Sequence, residues 1–146
     1  MLLTVFEIAN WFLSMQSMTH KKLQRMCYYA QSWWLANYDE PLFMNRFEAW
    51  IHGPVCPDLY FLYKDYGTCP IAQLKNYPCT LDKQTQSFLM KIWDTYHHYA
   101  DFELDKLTQA EYPWQHARQG LSISEYSRNP ISWNDMKNYY KKRLKD

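Results

Sequence analysis

The residues of this chain that could act together on a substrate gather at one backbone corner. Glu48 and His52 stand four positions apart, with Phe47, Ala49 and Trp50 beside the carboxylate, and His52 runs directly into Gly53-Pro54. A carboxylate and an imidazole that close could share general acid and base work. A carboxylate in so apolar a segment equally suits a structural role, accepting hydrogen bonds from backbone N–H groups or from Lys and Arg. That structural reading is preferred. Gln31, Gln109, Glu111 and Arg118 could converge on the same corner. Together they would form a buried polar network that fixes helix positions, or a site if the cluster opens to solvent. The structural network is again preferred.

Other chemistries find little support. The chain has no Gly-x-Gly-x-x-Gly, P-loop or Gly-x-Ser-x-Gly motif, and its three glycines leave a phosphate-cradling loop without material. Cys27, Cys56, Cys69 and Cys79 contain no Cys-x-x-Cys pair. His97 and His98 are adjacent and so diverge on a helix, and His116 is remote in sequence. No catalytic set, metal site or cofactor is therefore expected. Cys27, on an apolar helical face, reads as a small buried hydrophobe.

The corner must be positioned by helices. The 146 residues suffice for one domain spanning 1–146, and 47% hydrophobic against 21% charged residues excludes a disordered chain. Val5, Ile8, Ala9 and Phe12 recur at helical spacing from Thr4, with Thr4 and Glu7 placed as a capping box; Ser14 to Met18 reads as a loop. Thr19 caps a second helix reaching about Asn37, with Leu23, Met26, Cys27, Ala30 and Trp34 on one face. Residues 43–51 fit either a short strand or one turn of helix. Pro57 opens a third helix, with Leu59, Leu62, Tyr63 and Tyr66 as its apolar face and Gly67 as its end. Asp82 starts a long fourth helix with the stripe Phe88, Leu89, Ile92, Trp93, Tyr96 and Tyr99. Shorter helices follow around Leu104–Leu107 and from Pro113-Trp114. Ser122–Pro130 is a polar connector, and Ser132 with Asp135 caps the last helix. The expected fold is mainly α, with five to seven helices and an optional small β element near residues 43–51.

Aromatic residues make up 18% of the chain, with 13 Tyr, 7 Trp and 7 Phe. Such rings build cores, and Tyr and Trp are also favoured where proteins meet. Formal net charge is +1, from 16 basic and 15 acidic residues, which disfavours a nucleic-acid partner. The basic run Lys137–Lys145, interleaved with tyrosines, reads as a solvated final helical turn. No uncharged run approaches a membrane span, and no secretory signal is seen, so a cytoplasmic protein with reduced thiols and no membrane partner is expected.

The order of several segments resembles the Panacea domain family, the SocA/GepA-like antitoxins. Val5–Phe12 is similar to the family's first helix, and Thr19–Trp33 to its lysine-leucine, tyrosine-alanine-glutamine helix. Pro41-Leu42-Phe43 and Phe47-Glu48-Ala49-Trp50 follow in order. His52-Gly53-Pro54-Val55, then Pro57 and Leu59-Tyr60, resemble the signature corner, and Lys64–Gly67 the end of the next helix. Leu107-Thr108-Gln109, Glu111, Pro113-Trp114 and Ala117-Arg118 resemble a second signature. Ile131, Met136 and Tyr139-Tyr140 resemble the closing helix. Gln109 stands where the family commonly has His, and Ser124–Pro130 lacks the usual glycine-asparagine pattern.

The resemblance implies an antitoxin that neutralises a cognate toxin protein by direct binding rather than an enzyme. Its alternatives are an adaptor that delivers the toxin to a ClpXP-type protease through an AAA+ unfoldase, and an enzyme that reverses the toxin's modification. Trp33, Trp50 and Trp114 are the candidate ring anchors, with Glu48, His52 and Arg118 orienting them; Gly53, Pro54 and Glu111 complete the motif positions. Each of the three tryptophans serves equally well as a core residue.

Overall fold

Helix α2, His20–Tyr38, runs through the middle of the molecule. The computed structural model describes residues 3–144. Thr19 caps α2 by accepting from the Lys22 N–H, and Asp39 closes it in the left-handed conformation (φ 58°). Every residue from Leu23 to Ser32 is buried, so α2 is enclosed on all sides rather than along one stripe.

The other elements wrap it. α1 is Val5–Met15, and the Thr4–Glu7 capping box forms. The helix continues past Phe12, because Leu13 extends its buried stripe and the Gln16 N–H still reaches the Phe12 carbonyl. Ser14 and Met15 therefore belong to the helix and not to the expected loop.

Within residues 43–51 a short strand forms. β1, Glu48–Trp50, pairs antiparallel with β2, Gly53–Val55, in the register Glu48↔Val55, Ala49↔Pro54 and Trp50↔Gly53. The missing N–H of Pro54 costs this ladder nothing. Its partner Ala49 turns its own N–H outward to the Asn129 carbonyl at 2.8 Å, and Ile131 N–H reaches Phe47 O at 2.9 Å. The polar connector thereby supplies a third extended segment on the far side of β1.

α3 is Pro57–Tyr63, with proline in its first turn, followed by a 3₁₀ turn, Lys64–Tyr66, ended by Gly67 at φ 58°. Its expected apolar face is only partly used. Leu59 is buried, but Leu62 and Tyr66 are exposed, because a seven-residue helix turns a single side to the core. α4, Lys83–Tyr96, is capped by Asp82 and buries Phe88, Leu89, Ile92, Trp93 and Tyr96. α5 is Asp101–Gln109, α6 is Tyr112–Ala117, and α7 is Trp133–Lys141 with Ser132 accepting from the Asp135 N–H.

One hydrophobic cluster joins residues from α1 through α7, and α7 lays Met136 and Tyr140 against α2. The basic end is partly engaged. Lys141 Nζ lies 2.6 Å from the Asp39 carboxylate, and Arg143 stacks on Tyr139. Lys145, within that run, lies outside the described residues. Among those residues no helix is long and apolar enough to cross a membrane. Met136 is fully buried, so Met136→Ala is expected to lower unfolding free energy by about 2–5 kcal/mol, measured by urea denaturation.

Candidate functional site

Arg25 governs the corner, although no motif in the sequence marks it. The side chain is 2% exposed. Its Nη1 donates to the Pro54 carbonyl at 2.7 Å, and its Nε donates to Asp105 Oδ1 at 3.1 Å. Lys21 Nζ reaches the other Asp105 oxygen at 2.7 Å. A buried guanidinium is tolerable only with partners of this kind. Burial pulls its pKa down while Asp105 opposes that shift.

Gly53 gives the guanidinium its space. At φ +146° it occupies backbone that side chains rarely adopt, and a Cβ there would stand 2.7 Å from Arg25 Nε. One residue thus meets both a conformational and a steric demand. Beside it, Gln24 pairs with both backbone groups of Cys56, accepting from N–H at 2.8 Å and donating to C=O at 3.0 Å. Burial pushes the Cys56 thiol up to about 11 and also raises the Cys27 thiol well above the ordinary thiol range, which disfavours the thiolate of both at neutral pH.

The expected polar cluster separates into distinct groups. Gln109 Nε2 donates to the His52 carbonyl at 3.0 Å, and Arg118 Nη1 to the Ala49 carbonyl at 3.1 Å, so both serve the corner through backbone atoms. Arg118 also grips the Ser122 and Glu125 carbonyls. Gln31 does not reach the corner. It accepts from the Leu42 N–H and donates to the Phe43 carbonyl, pinning the loop after α2. Glu111 lies elsewhere again, between α2 and α7.

Glu48 accepts from Trp50 Nε1 at 2.8 Å and from Arg128 Nε at 3.2 Å, which is the structural use of a carboxylate. His52 is exposed. Among the described residues no three of His, Cys, Asp and Glu stand together as metal ligands.

The three tryptophans divide. Trp114 is 5% exposed, its indole donating to the Trp50 carbonyl, so its ring packs in the core, the use the sequence equally allows. Trp33 is half-buried and spends its N–H on the Tyr96 hydroxyl at 2.8 Å. Trp50, also half-buried, packs edge-on to Tyr60 and lines a cleft of about 530 Å³ with His20, His52, Val55, Tyr60 and Tyr126. This cleft lies beside the Gly53-Pro54 corner.

Glu111 is a carboxylate whose ionisation the fold alters strongly. It accepts from the Tyr29 hydroxyl at 3.2 Å and from the Tyr140 hydroxyl. Burial raises its pKa to about 7, although both tyrosines and the Arg143 charge pull the other way. Burial also lifts both tyrosine hydroxyls far above the phenol range, so they remain donors at working pH.

Two outcomes follow from these groups. Asp105→Ala leaves Arg25 charged and unpaired, and should cost about 3–5 kcal/mol of unfolding free energy in chemical denaturation. Because folding raises the Glu111 pKa, its contribution to stability is full below about pH 4.5 and is lost as pH rises through about 7. The melting temperature of Glu111→Gln should therefore gain on that of the parent between pH 5 and 8. A constant difference across that range would show that Glu111 does not titrate there.

A family model described as "Antitoxin SocA-like, Panacea domain" matches residues 23–115. That span runs from the first turn of α2 into α6, taking in the corner, the cleft-lining strands and Arg25 with both its partners. No curated protein and no solved structure matches the chain.

Proposed function

The chain belongs to the SocA-like antitoxin, Panacea domain family, and from that premise we propose that it neutralises a cognate protein toxin by binding it directly. The family match across the corner carries this reading. The side chains around the corner support it, since they are spent on holding backbone. Glu48 is occupied by Trp50 and Arg128, while Gln109 and Arg118 grip carbonyls, leaving no poised acid–base pair.

The exposed apolar side chains supply contact surface. Phe61, Leu62, Tyr66 and Tyr126 are all exposed, and Phe61 packs edge-on to the cleft-lining Tyr60. Aromatic groups on a rigid frame, surrounded by polar rim residues, are the usual anchors of protein interfaces. Trp50 and His52 stand at the same cleft. Trp33, the other half-buried candidate, lies in a separate groove between α2 and α4 with Tyr38 and Phe88.

Co-expression with the protein encoded by the neighbouring gene, combined with a pull-down, tests the proposal. Growth rescue with a stable complex is the expected result. Rescue without a complex would favour enzymatic reversal of the toxin's modification. Rescue that depends on the host's ClpXP-type protease would favour the adaptor reading. Neither rescue nor complex would refute the antitoxin reading for that pair.

A further inference from the structure

We infer that Glu111 makes the seating of the last turn of α7 proton-dependent: Tyr140 lies closed over a neutral carboxyl and lifts from an ionised one. This holds whatever partner the protein takes.

Three helices meet at this carboxyl. Tyr29 of α2 donates to both oxygens at 3.2 Å, and Tyr140 of α7 donates to Oε1, while Glu111 itself stands at the entry to α6. Tyr29 and Tyr140 are buried, at 0% and 1% exposure. Among the described residues no cation forms an ion pair with Glu111. A carboxylate shut behind rings without a counter-charge is disfavoured in its ionised form. The two hydroxyl bonds favour that form, but desolvation outweighs them. Lifting Tyr140 returns water to the carboxylate and removes the conflict.

The end of α7 can lift while its start stays seated. Met136, fully buried, and the Ser132 cap hold the first turns. Tyr140 lies in the last turn, where the remaining tie is the exposed contact of Lys141 with Asp39. Exposed pairs of this kind add little stability.

The groups around the carboxyl leave it as the natural sensor. From α2 it faces Tyr28 and Tyr29, from α4 Tyr96, and from α7 Tyr139 and Tyr140, all phenols raised by burial and so un-ionised. Arg143, beyond α7, is stacked on Tyr139. On α6, Arg118 is spent on carbonyls, and His116 pairs with Asp135 of α7 at 2.6 Å. Lys137 and Lys141 of α7 face Asp39, whose carboxyl the Lys141 contact holds below the usual range. The His116–Asp135 pair is thus the rival link between α6 and α7.

The seating bears on a candidate contact ring. Trp33 tilts against Tyr140 with centroids 5.0 Å apart and lines the groove between α2 and α4. Lifting Tyr140 uncovers one side of Trp33, so the proton sets how much ring surface that end of the molecule offers.

Two measurements on the whole protein test this. Carboxyl-carbon NMR with isotope-labelled glutamate should show Glu111 titrating near pH 7. Amide hydrogen exchange, corrected for its intrinsic pH dependence, reads the opening at Tyr139 and Tyr140. With the carboxyl at about 7 when closed and about 4.5 when open, the opening should grow roughly 70-fold from pH 5 to pH 8 and level off above 7. Both amides should exchange faster than those of Tyr28 and Ala30, which open only with the whole fold. In Glu111→Gln the opening should be flat across that range. A flat parent profile would overturn the inference, as would exchange at Tyr140 no faster than at Tyr28. A rise that survives Glu111→Gln would also overturn it, and its loss in His116→Asn would place the dependence on the His116–Asp135 pair instead. Titration of Glu111 in the parent near the ordinary carboxylate range would sink it without recourse to any variant.

Discussion

Enclosing α2 on every side is the constraint from which most of the structure follows. Leu23 to Ser32 cannot turn polar groups to water, so most of them find a partner inside, the Tyr28 hydroxyl excepted. Gln24 takes the backbone of Cys56, Arg25 takes Pro54 and Asp105, and Gln31 takes Leu42 and Phe43. Ser32 returns to the Tyr28 carbonyl one turn back, and Tyr29 reaches Glu111. The irregular segments therefore have their places set by α2. The corner, the loop after the helix and the entry to α6 are each fastened to the same rod.

The aromatic surplus has a matching division of labour. Tyr29 stacks on Tyr96 at 4.0 Å between centroids and meets Tyr140 edge-on, while Trp33 tilts against Tyr140 and bonds the Tyr96 hydroxyl. These rings join α2, α4 and α7 around the Glu111 carboxyl. Beside the corner, the rings of Trp50, Tyr60 and Tyr126 border the cleft. A ring with a polar tip suits both places, because it contributes apolar area while its hydroxyl or indole N–H finds a partner.

Local signals made much of the fold legible. The Thr4–Glu7 box, the caps at Thr19, Asp82 and Ser132, and Pro57 in a first turn all stand where their short-range chemistry put them. Periodicity was less informative where burial departs from a single stripe. α2 reads as amphipathic because Gln24, Arg25 and Gln31 interrupt its apolar positions, yet those residues are inside. α3 reads as more apolar than its packing, because Leu62 and Tyr66 are left outside. The strand at Glu48–Trp50 could not be separated from a helical turn, since its pairing depends on Gly53–Val55 and on Asn129–Ile131 far along the chain. The corner motif itself stood out. Its key partner Arg25 did not, for Asp105 lies eighty positions away and only the fold brings the two together. The signal was an arginine amid a run of buried-type residues, and such a residue has to be paired.

The clamps at the corner mostly hold main-chain atoms. Arg25 takes the Pro54 carbonyl, Arg118 that of Ala49, Trp114 that of Trp50 and Gln109 that of His52, while Gln24 takes both amide groups of Cys56. Peptide groups are the same whatever side chain they carry, so the frame makes few demands on the outward-facing residues it presents. Gly53 is the exception, fixed by the guanidinium behind it. The exterior of the corner can be rewritten while its scaffold stays in register. A domain built this way can change its exterior by surface substitution alone, with the backbone frame encoded at a separate set of positions.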